Sequence, residues 1–194
     1  MNYLIVVNKD KVLDTSYFEE LKLVDCKDVL GDSIKVEEKT YENYLKLKMY
    51  LEKIGIFVEL DSGFRSIEEQ QRIIDDFTNK YGKEYVDKYV APIGTSEHHT
   101  GLALDLALLV DGKKCIENDE LFANEEIFKT IHKHLARFGF ILRYPKNKEK
   151  ITGYDYEPWH IRYVGKDVAE KIYLENITLE EYLANYKNDS KEFL

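Results

Sequence analysis

The residues best suited to chemistry fall in three short segments. The first is Ser96-Glu97-His98-His99-Thr100-Gly101, which runs straight into Leu102-Ala103-Leu104-Asp105-Leu106-Ala107-Leu108-Leu109-Val110. Eight of those nine residues are apolar and the ninth is Asp105. An ionised carboxylate buried in such a run is costly unless it is paired or holds a metal. The alternative is an outward-facing aspartate at a sheet edge, with Ala103 and Ala107 beside it on an exposed face. A histidine and a turn-permitting glycine just upstream favour the metal. Either His98 or His99 could be the ligand, and spacing alone does not choose.

The second segment is Glu157-Pro158-Trp159-His160. Pro158 prevents a regular helix, so Glu157 and His160 are not a helical pair, but a bend can still bring them to one face. Two imidazoles and a carboxylate leave zinc's fourth position open, as in catalytic rather than structural sites. Glu157 would then serve as general base, with Trp159 beside the substrate or anchored in the core. The third segment is Ser62-Gly63-Phe64-Arg65-Ser66, followed by Gln70. In a cleft, Arg65 could hold a developing oxyanion or a peptide carboxylate, and Gln70, one helical turn on, could share that task. His132 and His134 lie in a helical pattern, where residues two apart diverge, and read as ordinary surface histidines.

These residues need a scaffold. Tyr3–Val7 and Leu21–Val24 have the composition of short strands. Apolar spacing predicts a helix over residues 38–54, stopped by Gly55, and a strand over 56–60. Ser66 and Glu69 form a capping box that opens a helix to about Tyr81. A shorter helix is expected over 84–90, a strand over 102–110 turned by Asp111-Gly112, and a helix through Ile127, Ile131 and Leu135 closed by Gly139. Strands at 140–143 and 159–164 follow, and a second capping box, Thr178 to Glu181, opens a last helix. Turns and loops join most of the later β-runs. The pattern is α+β, a single domain over 1–194 with a mostly antiparallel central sheet flanked by helices and a motif-bearing core at about 56–165.

Bulk properties narrow the function. A net charge of −9 disfavours nucleic acid, whose phosphates would be repelled. Cys26 and Cys115 are far apart and lack zinc-ribbon spacing, so two buried, reduced thiols are expected. The opening apolar run is five residues, short of a signal peptide's ~7–15, and no stretch approaches the ~18 of a membrane span. A cytoplasmic protein is the expectation.

Taken together, the segments resemble the VanY-type D-alanyl-D-alanine carboxypeptidases, within the LAS metallopeptidases. Ser96, His98, Gly101, Ala103 and Asp105 fill that family's S-x-H-x-x-G-x-A-x-D motif. Glu157, Trp159 and His160 fill E-x-W-H, and Ser62 to Ser66 with Gln70 fill S-G-[YF]-R-S-x-x-x-Q. The resemblance implies one zinc ion held by His98, Asp105 and His160, with Glu157 as base and Arg65 stabilising the transition state. It further implies a small peptide substrate ending in D-Ala, met by Ser96, Gln70 and Trp159, as in the bifunctional dipeptidases and carboxypeptidases of vancomycin resistance. An L,D-carboxypeptidase acting on wall tetrapeptides is the alternative. A zinc-stabilised wall-binding module without activity would need neither Glu157 nor Arg65.

Overall fold

The structure, a computed structural model, describes residues 1–84, 86 and 90–189. A short helix α1 (Tyr17–Glu20) precedes a two-stranded antiparallel ribbon of β1 (Leu23–Lys27) and β2 (Ser33–Glu37). Helix α2 (Glu38–Lys53), strand β3 (Val58–Ser62) and helix α3 (Ile67–Tyr81) follow, then strands β4 (Ala103–Val110) and β5 (Lys113–Cys115). Next come α4 (Asn118–Ala123), α5 (Glu125–Leu135), β6 (Phe140–Leu142), α6 (Glu149–Thr152), β7 (His160–Tyr163), α7 (Lys166–Glu175) and α8 (Leu179–Asp189). The main sheet has the order β3-β4-β7-β6, with β5 also pairing β4, and every pairing is antiparallel. The α+β expectation holds.

Strand alternation explains both faces of this sheet. Leu104, Leu106 and Leu108 of β4 enter the main core with Leu60 of β3, Ile161 of β7 and Phe140 of β6. Tyr44, Leu47 and Leu51 of α2 and Phe128, Ile131 and Leu135 of α5 complete that core. Ala103, Asp105 and Ala107 alternate to the opposite face. The two alanines are 0% exposed, so this face is covered rather than solvated. Both cysteines are free and buried, and no helix among the described residues is long and apolar enough to cross a membrane.

Both capping boxes form. Ser66 Oγ accepts from Glu69 N at 3.1 Å, and Ser66 N donates to Glu69 at 2.7 Å. Thr178 and Glu181 exchange the same pair at 3.2 and 2.7 Å.

Several expectations change. Residues 3–7 form no strand; Val7 is buried in a small apolar cluster, while the carbonyls of Tyr3 and Ile5 accept from Arg162 at 3.1 and 2.7 Å. A side chain does there what a ladder partner would have done. The strand expected at 21–24 is shifted to Leu23–Lys27, and β2, β5, α1, α4, α6 and α7 are additional. The helix expected over 84–90 lies mostly outside the described residues.

Candidate active site

Register places the site. Asp105 of β4 pairs with His160 of β7 on one side and with Ser62 of β3 on the other, so three strands present neighbouring side chains on the covered face. His98 reaches the same point from a 3₁₀ turn, Glu97–Thr100, whose Ser96 cap accepts from His98 N at 3.4 Å. That turn ends at Gly101 in the left-handed region, φ 70°, where a Cβ would come within 3.2 Å of Glu37 Cβ. Gly63 is needed for a different reason: a Cβ there would meet the Lys35 carbonyl oxygen at 2.5 Å. The Arg65 loop can therefore lie directly on β2, with Phe64 N donating to that carbonyl at 2.6 Å.

His98, Asp105 and His160 bring one ligand-type atom each within 4.8 Å of one another. His98 Nε2 lies 3.1 Å from Asp105 Oδ2, and His160 Nδ1 lies 3.0 Å from Asp105 Oδ1. Buried Asp105 Oδ1 nevertheless has no hydrogen-bond partner among the described residues. Zinc ligands at about 2.0–2.1 Å in a tetrahedron stand about 3.3 Å apart, close to these separations. His98 Nδ1 is 2.7 Å from the Gly63 carbonyl, which fixes the proton on Nδ1 and leaves Nε2 as a lone pair. The electrostatics agree. Burial opposes ionisation of Asp105, yet the two imidazoles hold it well below the usual carboxylate range. Burial also disfavours the His160 cation, but Asp105 and Glu97 outweigh it and raise the group to about 9. The cluster is built for positive charge, and a divalent cation with two nitrogen ligands and one oxygen ligand fits it.

His99 goes elsewhere. Its Nδ1 is 2.7 Å from the Arg65 carbonyl, and Arg65 N donates to His98 O at 3.1 Å. The two histidines thus clamp the arginine loop from both ends. The Arg65 guanidinium donates to Gln70 Oε1 at 3.0 Å, and Gln70 Nε2 donates to Ala91 O at 2.6 Å. Gln70 is 0% exposed and both ends of its amide are engaged, so it meets the pocket through Arg65 rather than directly. Burial lowers the Arg65 pKa from its ordinary range, against the pull of Asp105, Glu69, Glu157 and Asp61.

Glu157 to His160 is a tight turn in which His160 N donates to Glu157 O at 3.3 Å. Pro158 sits second in that turn, a place its fixed φ suits. The turn sets Glu157 Oε2 3.6 Å from His160 Nδ1, and burial pushes Glu157 up to about 7, with His160 and Arg65 opposing. His132 is not an ordinary surface residue. Its Nε2 lies 2.8 Å from the Pro158 carbonyl and burial lowers its pKa. The helix faces this side chain toward the turn and not toward solvent. His132→Ala should therefore leave a buried carbonyl unpaired and lower unfolding stability by about 1–3 kcal/mol, measured by denaturant titration. His134 instead packs its ring against Tyr50.

A cavity of about 290 Å³ opens over the cluster, lined by Arg65, Ser96, Glu157 and Trp159 together with Tyr144 and Tyr154. The two tyrosines were not foreseen, although Tyr154 follows Ile151-Thr152-Gly153 just upstream of the second motif. The family model described as VanY, D-alanyl-D-alanine carboxypeptidase, matches residues 33–166. The chain belongs to the VanY family of D-alanyl-D-alanine carboxypeptidases. Its class is therefore zinc metallopeptidase. A relative, the D-alanyl-D-alanine carboxypeptidase of Enterococcus faecalis (strain ATCC 700802 / V583), is 35% identical over 193 residues, 95% of this chain and 66% of its own length. The chain thus spans about two thirds of that relative. A solved vancomycin-resistance D,D-pentapeptidase VanY, a mutant in complex with Zn(II), superposes with a TM-score of 0.77 at 32% identity, over 93% of this chain and 98% of that one. The LdcB LD-carboxypeptidase superposes with 0.79 at 35% identity, over 92% of this chain and 84% of that one.

Proposed function

We propose that this VanY-family chain is a zinc-dependent D,D-peptidase that hydrolyses D-Ala-D-Ala or releases C-terminal D-Ala from peptidoglycan precursor peptides. The observation that carries the reading is the convergence of His98, Asp105 and His160 beneath a pocket flanked by Glu157 and Arg65. In this reading those three residues hold the ion. Zinc, when bound, supplies Lewis-acid polarisation of the scissile carbonyl and acidifies a water. Glu157 takes the water proton on its carboxylate and delivers it to the leaving amine. Arg65, pinned by Gln70, donates to the oxyanion as it forms. Ser96 and Trp159 line the same cavity and would meet the peptide beside the scissile bond. Arg65→Ala should fold and load zinc but turn over about 10²–10³-fold more slowly, the loss typical of an oxyanion donor. Single-turnover kinetics on the zinc-loaded variant measures it.

The likeness to a D-alanyl-D-alanine carboxypeptidase supports a carboxypeptidase of this type, and the LdcB likeness supports a second reading, an L,D-carboxypeptidase. The test is kcat/KM on D-Ala-D-Ala, on a pentapeptide ending in D-Ala-D-Ala, and on an L,D-linked tetrapeptide. The D,D reading expects preference for one of the first two. Preference for the tetrapeptide moves the chain to the second reading and leaves the roles of Glu157 and Arg65 intact.

A further inference from the structure

We infer that Glu97 is a positioning residue for His160: its Oε2 accepts the Nε2 proton of that imidazole and so fixes which nitrogen faces the metal. The inference rests on the proposed ligand role of His160. If Nδ1 contributes its lone pair, the proton of the neutral ring sits on Nε2 and must find an acceptor. Among the described residues, buried His160 Nε2 has no hydrogen-bond partner, and neither does buried Glu97 Oε2. These two atoms face each other at 3.6 Å. A movement of a few tenths of an ångström by the ring closes that gap to hydrogen-bond length.

The surroundings leave Glu97 this one task. Its carboxylate is 0% exposed, and Oε1 accepts from Arg143 Nε and Arg162 Nη1, both at 2.7 Å. Two guanidinium groups therefore keep the carboxylate ionised and lock its orientation, so that the second oxygen points at His160. Each arginine is anchored in turn. Arg143 grips Glu180 of α8 through two bonds of 2.9 and 2.5 Å, and Arg162 donates to the carbonyls of Tyr3 and Ile5. Segments near both ends of the chain thus brace one imidazole through a single carboxylate.

Glu97→Gln tests this, because the two arginines demand an acceptor at the Oε1 position. The amide must then turn its NH₂ toward the His160 N–H, donor against donor. Zinc affinity, read by chelator competition, should fall about 10–100-fold, the usual effect of losing such a partner. Glu180→Gln is the control: it weakens the same arginine network without touching His160. It should lower thermal stability and leave zinc affinity unchanged. Folded Glu97→Gln that binds zinc like wild type overturns the proposal, as does an equal loss in Glu180→Gln. Should Glu97→Gln not fold, the wild-type protein decides. Labelled with ¹⁵N-histidine and loaded with zinc, it should show an exchange-protected, downfield His160 Nε2 proton, and its absence overturns the proposal. If zinc loads without His160, the ligand reading beneath has failed too; if zinc needs His160 but not Glu97, the proposal fails alone.

Discussion

Replacing Glu157 by alanine should leave zinc bound and slow hydrolysis by about 10²–10⁴-fold, the range for a lost general base. The carboxylate comes within 3.6 Å of His160 Nδ1 yet is not among the three side chains whose ligand atoms converge. It lines the cavity and keeps 30% of its side-chain surface open, as a group that must hand a proton to a departing amine requires. Its backbone is held independently of its side chain. Glu157 N donates to Tyr144 O at 3.2 Å, and His132 secures the next residue through the Pro158 carbonyl. Alanine therefore removes the carboxylate without releasing the turn that presents His160. Zinc content by elemental analysis and kcat on a D-Ala-D-Ala peptide are the two measurements. Wild-type turnover by zinc-loaded Glu157→Ala would sink the assignment, whereas loss of zinc would make Glu157 a ligand instead of a base.

What could be read from the sequence was what lies close together along it. Asp105 stood out because a carboxylate among eight apolar residues has few physical excuses, and the covered face of β4 is where alternation put it. Ser66 and Glu69 announced their helix because a capping box closes within four residues. The apolar stretch at 3–7 misled for the same reason. Composition reports burial, and Val7 is buried, but a strand also needs a neighbouring edge, and none among the described residues pairs with it. Glu97 carried no signal at all, since its partners, Arg143 just past β6 and Arg162 of β7, arrive 46 and 65 positions later. Gln70 was legible as a partner of Arg65, being one turn away, but its contact with Ala91 is set by the fold. What separates the adjacent histidines is likewise a matter of geometry: a 3₁₀ turn rotates successive side chains by about 120°. Glu97, His98 and His99 accordingly point at the arginine pair, at Asp105 and at the Arg65 carbonyl.

That rotation makes a sharp pair of variants. His98→Ala should lose stoichiometric zinc, and His99→Ala should keep it. His98 Nε2 is a buried lone pair 3.1 Å from Asp105, with its other nitrogen already bound to Gly63 O; removing the ring leaves one imidazole and one carboxylate, too few for a three-ligand site. Asp105→Ala and His160→Ala should fail in the same way. Among the described residues, buried His99 Nε2 has no partner, but its ring turns toward the Arg65 loop and not toward the cluster. His99→Ala should therefore act through Arg65. Zinc stays, while the loop loses the bond that holds the Arg65 carbonyl and turnover falls with the arginine less well placed. Elemental analysis after dialysis against a weak chelator separates the cases, and circular dichroism confirms that each variant is folded. Retention of zinc by folded His98→Ala together with its loss from His99→Ala would reverse the assignment, and with it the identity of the residue that faces Asp105.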